Sequence, residues 1–105
     1  MMRFTAVVGL FPDLPETELT AWVQRGWVRP EGTEPDWIFG DIDVARVRLI
    51  HDFRHAMAVS EDTMPLVLSL LDQVYTLRGQ LRAIAHAVEG QPEAVRAAII
   101  AAIRG

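Results

Sequence analysis

Pro15-Glu-Thr-Glu-Leu-Thr-Ala-Trp-Val-Gln-Arg-Gly-Trp-Val-Arg-Pro30 is the stretch on which the fold turns. Pro15 suits the first position of a helix, where a missing N–H costs nothing. Glu16 and Glu18 in the first turn meet the positive end of the helix dipole. Leu19, Trp22 and Val23 then recur at i, i+3 and i+4, the spacing of one helical face. Gly26 is placed to stop the helix, since glycine takes up a left-handed C-terminal turn without a Cβ penalty. Trp27-Val28 and Trp37-Ile-Phe39 are short runs of strand formers flanking Arg29-Pro-Glu-Gly-Thr-Glu-Pro-Asp36, a turn-forming segment. That arrangement predicts a hairpin, or wing, behind the helix.

Upstream, Phe4 to Phe11 is a short apolar stretch halted by Pro12-Asp13, which reads as one or two helical turns. A strand over Phe4 to Val8 competes, because Thr, Val and Phe favour it. Downstream, Asp41 or Asp43 caps a helix whose apolar face is Val44, Val47, Ile50 or His51, Phe53 or Arg54, and Met57. Ser60 to Thr63 marks another start, and Pro65 is tolerated there only in a first turn.

The strongest pattern lies between Met64 and Val88. Val67, Leu70, Val74, Leu77, Leu81, Ile84 and Val88 step by three and four in strict alternation. Leu66, Leu71 and Tyr75 widen the stripe, as expected of a helix with two neighbours. Each member contributes about 1.5–3 kcal/mol when well buried. Gly90 ends the helix, and Pro92 opens a last one with Val95, Ile99, Ala102 and Ile103 on one face. The order is helix, helix, hairpin, then three helices.

Composition narrows the classes. A chain of 105 residues, half of them apolar and 23% charged, builds one core and is neither a disordered tail nor a fibrous repeat. It has no cysteine, which excludes a disulfide scaffold and any thiolate metal site. No apolar run approaches the roughly 20 residues that span a bilayer. Met-Met-Arg-Phe-Thr lacks the features of a secretory signal, so a cytoplasmic protein is expected. The net charge of −4 is unevenly spread, and every basic residue is Arg. Eight acids from Asp13 to Asp43 face only Arg25 and Arg29, whereas from Val44 onward seven Arg face six acids.

Three stretches carry a family resemblance. Glu18-Leu19-x-x-Trp22-Val23-x-x-Gly26-Trp27-Val28-x-Pro30, followed by Trp37-x-Phe39-x-x-Ile42 and a long helix, is similar to a winged helix-turn-helix of the MerR type. Trp37-Ile-Phe-Gly-Asp-Ile-Asp-Val-Ala-Arg-Val-Arg-Leu-Ile50 and Leu68-Ser-Leu-Leu-Asp-Gln-Val-Tyr-Thr-Leu-Arg-Gly-Gln-Leu81 resemble the third-helix and long-helix signatures of CbpM-like chaperone modulators, a branch of that superfamily. The resemblance covers roughly Phe4 to Ile84 and has no counterpart for the tail from Gln91. It implies a mainly α fold: a winged helix-turn-helix domain over 1–58 with a small β-hairpin wing, then a long helix and a C-terminal helix over 59–105. It also implies a regulator that binds the J-domain of a DnaJ-like or CbpA-like co-chaperone and blocks its work with the DnaK chaperone.

Charge bears on the same choice. A winged helix that reads DNA needs Arg or Lys on its recognition helix and wing to neutralise phosphates. Here that helix offers Glu16, Glu18 and Arg25, and the wing offers Glu31, Glu34 and Asp36 against Arg29. Such a surface repels a polyanion and steers a basic protein surface into contact. Glu16, Glu18, Arg25 and Trp27 are therefore the candidate partner contacts, the acids steering and the tryptophan anchoring. A MerR-like dimeric DNA-binding transcription regulator is the competing reading.

The remaining features read more plainly. Trp22 and Trp37 belong to a small core, and Trp27 reads equally as core or anchor. His51 and His55 share a helix face but lack the further ligands that zinc needs, so they read as a solvated or partner-facing pair. His86 reads as a helix-surface residue. No nucleophile with a base, no phosphate loop and no carboxylate pair marks an enzyme, and no cofactor or metal is expected. Val67, Leu70, Val74, Leu77, Leu81 and Ile84, with Ile99 and Ile103 of the last helix, are the candidate dimerisation residues.

Overall fold

A computed structural model describes all residues from Met1 to Gly105. They divide into two units, Met1–Leu68 and Ser69–Gly105. The order is β1 (Met2–Arg3), α1 (Phe4–Leu10), α2 (Glu16–Gln24), β2 (Ile38–Phe39), α3 (Asp41–His51), a π-helical continuation over Asp52–Ala56, α4 (Met64–Glu89) and α5 (Glu93–Arg104). The protein is mainly helical with one two-stranded antiparallel sheet. No helix is long and apolar enough to cross a membrane.

At the N-terminus the helical reading wins over the strand. Val7 and Phe11 are buried, and the Phe4 ring lies 6.0 Å from Trp37 and 6.5 Å from Phe39. Positions 4, 7 and 11 share one helical face, which a strand would split between two sides. The strand is the pair of residues before it, with Met2 opposite Phe39 and Arg3 opposite Ile38.

The expected hairpin is replaced by a different pairing. Trp27 and Val28 form no strand; both side chains are buried, whereas alternation would turn one of them outward. Pro30, which follows, has no N–H for a ladder. Only Glu31 pairs across the segment, exchanging two backbone hydrogen bonds of 2.9 Å with Ile38. Asp36 N–H to the Thr33 carbonyl, 2.7 Å, closes the turn between them. β2 therefore sits between Glu31 on one edge and β1 on the other.

Pro15 stands just outside α2 rather than inside it, with φ −64° and ψ 144°. Its carbonyl accepts the N–H groups of Glu18 and Leu19. Gly26, at φ +77°, terminates α2 as expected. Its N–H donates to the Val23 carbonyl at 3.0 Å and Trp27 N–H to that of Trp22 at 2.9 Å, the paired bonds of a Schellman turn. α3 starts after Gly40, whose N–H donates to Asp43 Oδ2 at 2.8 Å. Asp43 thus works from inside the first turn, as the returning half of a capping box.

α3 buries Val47 and Ile50, but its expected apolar face stops short of Met57, which is 66% exposed. From Asp52 the backbone widens to the π pitch, which rotates later residues off the α-helical face, and Ala58 reverses the chain at φ +54°. The turn before α4 is tied by the hydroxyls of Ser60 and Thr63, 2.8 Å apart, and Met64 N–H donates to the Ser60 carbonyl at 3.1 Å. Pro65 falls in the first turn of α4, where no N–H is needed. Met64 and Leu68 are buried, so the first unit takes in the start of the long helix and runs past the boundary expected at 58.

The core of the first unit is Val7, Leu19, Trp22, Val28, Phe39, Val47, Ile50 and Met64, all fully buried. The second unit has no buried residue. It consists of α4 from Ser69 onward, a turn closed by Gly90 N–H to the His86 carbonyl and Gln91 N–H to that of Val88, and α5.

Candidate functional site

Helical spacing sorts the sequence-predicted contacts before any distance is measured. With Leu19 and Trp22 of α2 turned to the core, Glu18 and Arg25, seven residues apart, share one flank, and Glu16 falls on the other. Glu16 therefore does not join the remaining three.

The flank of Glu18 and Arg25 meets the π-helical segment and the turn before α4. Glu18 Oε1 lies 3.3 Å from His55 Nε2. Arg25 Nη1 lies 3.4 Å from Glu61 Oε1, which is also 3.8 Å from Arg54 Nη2. Arg54 is the fixed member of this group, because its Nη1 donates to the Val59 carbonyl at 2.6 Å. Arg25, whose side chain is 44% exposed, also sets its guanidinium carbon 5.2 Å from the Trp27 ring centroid, a cation–π contact.

Trp27 is only 7% exposed, which decides its role. The Arg46 guanidinium donates to its backbone carbonyl and ties it to α3. Its ring is no protruding anchor; it lines a recess of about 490 Å³ with Arg25, Glu61, Asp62 and Pro65. Trp22 and Trp37 are core, as expected.

The recess suits a cationic side chain. Asp62 carries no ion pair, Glu61 is divided between Arg25 and Arg54, and the Arg25 guanidinium lies against the Trp27 ring. Exposed ion pairs are worth at most about 1 kcal/mol, so an incoming cation can displace them. Glu61, Asp62 and Pro65 were not among the residues singled out from sequence, where Ser60 to Thr63 read only as a helix start. The available signal was two adjacent acids directly before a first-turn proline.

The histidines form a separate cluster beside this flank. The rings of His51 and His55 stack at 4.7 Å between centroids, and Phe11 lies 5.5 Å from His51. His51 Nε2 is 2.8 Å from Asp13 Oδ1. The expectation of a solvated pair fails for His51, whose side chain is 17% exposed, because Phe11 and Asp13 close over it. The hydrogen bond from His51 holds the Asp13 carboxyl below its ordinary value. No group of three or more His, Asp or Glu side chains is arranged to hold a metal ion.

The other predicted residues lie elsewhere. Glu31, Glu34 and Asp36 are exposed on the turn, where Gln24 Nε2 donates to Glu34 at 3.4 Å. Leu70, Val74, Leu77, Leu81 and Ile84 of α4 are exposed, as is Ile103 of α5, while Val67 and Ile99 are half-buried. No protein-family model, curated protein or solved structure matches the chain.

Proposed function

We propose that the first unit is a winged helix-turn-helix-type module that binds protein, and that its partner is the J-domain of a DnaJ-like co-chaperone, held away from DnaK. The observation that carries the reading is the recess beside the end of α2. There Glu61 and the unpaired Asp62 line the same recess as Trp27 and Pro65. Carboxylates sharing a recess with an aromatic side chain are complementary to a lysine or arginine projecting from a basic helix. The motif resemblance supplies the kind of helix.

The DNA-binding alternative draws little support from the same surface. Arg54 and Arg25 share Glu61, and the turn that would serve as the wing presents Glu31, Glu34 and Asp36. Phosphates approaching either element meet carboxylates first.

The test is calorimetric titration of the full chain with an isolated J-domain at low and high salt, beside the double variant Glu61→Arg with Asp62→Arg. Saturable binding that weakens with salt and is lost in the variant supports the reading. No binding at low salt, or equal affinity in the variant, overturns it. A parallel gel shift in which wild-type protein retards DNA with a steep salt dependence would favour the regulator instead.

A further inference from the structure

We infer that Arg25 is a built-in competitor for the recess, occupying it as an arginine of the partner would and holding affinity for that arginine below what the recess alone would give. This rests on the reading that the recess receives a cationic side chain, and not on the partner's being a J-domain. The Arg25 guanidinium already makes the contacts such a ligand needs. Its carbon lies 5.2 Å from the Trp27 ring centroid, and Nη1 lies 3.4 Å from Glu61 Oε1. An aromatic ring and a carboxylate met together suit a guanidinium, which is planar, weakly hydrated and able to stack and pair at once. The ligand class is therefore an arginine side chain presented by another chain.

The surrounding residues separate a fixed part from a displaceable one. Arg25 directly follows α2, its N–H donates to the Ala21 carbonyl at 2.9 Å, and Gly26 turns the chain behind it. Only side-chain torsions are needed for Arg25 to vacate the recess. Glu61 keeps a second partner when it does: Arg54 Nη2 lies 3.8 Å away, and Arg54 is itself tied to the Val59 carbonyl. The acceptor carboxylate is thus held with or without Arg25. Charge favours exchange over simple addition. With Arg25 in place, Arg25 and Arg54 balance Glu61 and Asp62; with Arg25 withdrawn, one negative charge stands unmatched until another cation enters. A site that is open only part of the time loses apparent affinity by its open fraction. One exposed ion pair and one exposed cation–π contact close it enough to lower affinity about five- to tenfold.

Calorimetric titration of the full chain with blocked tetra-arginine at low salt tests this without assuming the partner. Arg25→Gln is expected to bind the peptide about five- to tenfold more tightly than the wild type. Arg25→Lys, which keeps the charge and loses the planar fork, should fall between the two. Arg29→Gln removes the same charge from a nearby exposed position that does not line the recess, and should change affinity by less than about twofold. The gain should vanish when Arg25→Gln is combined with Glu61→Gln and Asp62→Asn, which leave the recess without carboxylates. Equal or weaker binding by Arg25→Gln, an equal gain in Arg29→Gln, or no binding of the peptide to either protein would overturn the proposal. The same series titrated with an isolated J-domain separates the two readings. A gain with the peptide and no binding of the J-domain leaves Arg25 as the competitor and removes the co-chaperone.

Discussion

His51 and Asp13, 38 positions apart in the chain, meet at 2.8 Å between Nε2 and Oδ1 and fasten the loop before α2 to the end of α3. The histidine is positioned by its stack on His55 and by the Phe11 ring, so the contact is made by a side chain already held on two sides. Its hydrogen bond favours the ionised carboxylate.

A pH dependence follows from the direction of that shift. The folded Asp13 carboxyl titrates below its ordinary value of 3.8, so folding releases no proton there at neutral pH. The unfolded chain takes up the proton first as pH falls, so the contribution is present above the ordinary value and lost below it as pH falls through the folded one. Asp13→Asn should therefore unfold at higher pH than the wild type in an acid titration followed by tryptophan fluorescence. Coincident acid transitions would show that the contact contributes nothing to stability.

Gly26→Ala isolates a backbone effect. A Cβ built at Gly26 meets nothing within 4 Å, so only its φ of +77° opposes a side chain. Left-handed backbone costs an L-residue about 1–2 kcal/mol, which is the expected loss in urea unfolding. A larger loss, or one with a changed slope against urea, would mean that the Schellman turn itself had broken.

Ala58 presents the inverse case at φ +54°. Ala58→Gly relieves that strain but adds freedom to the unfolded chain, two opposing effects. A net gain of up to about 1 kcal/mol is expected, because the relief exceeds the entropy cost. A loss in chemical denaturation would show that the methyl group makes a contact worth more than the strain.

The recess and the far flank of α2 separate two kinds of charge effect. Asp62→Arg places a cation inside the recess and should weaken J-domain binding roughly tenfold, whereas Glu16→Arg, on the other flank, should cost less than about threefold. Equal losses would show that general acidity, and not the recess, captures the partner. Calorimetry at two salt concentrations distinguishes them, since steering from a distance is screened first.

What the sequence revealed of this fold was local. Leu19, Trp22 and Gly26 mark α2 and its end because each acts within one or two turns of its own position. Phe4 to Phe11 was ambiguous because two turns are too short for periodicity to decide, and packing of Phe4 on Trp37 and Phe39 decided it. The partner of β2 was hidden because two-residue strands carry little register information, and Met2–Arg3 lies far away in sequence. The recess was invisible for the same reason: Trp27 and Asp62 look unrelated until the turn before α4 is brought back against α2. The two acids before Pro65 were legible as residues and not as a site.

The start of α4 offers the last test. Met64 is fully buried and Leu68 is 4% exposed, whereas Leu66 between them is 61% exposed. One helical turn therefore holds residues of opposite fate, and only the first two stabilise the first unit. Met64→Ala should cost about 2–5 kcal/mol in unfolding monitored by Trp22, Trp27 and Trp37, through lost burial and the cavity left behind. Leu66→Ala should change that transition by less than about 0.5 kcal/mol, as expected of an exposed position. If both substitutions were neutral, the long helix would not be anchored in the first core. The compact unit would then end before α4, near the boundary that the sequence places at residue 58.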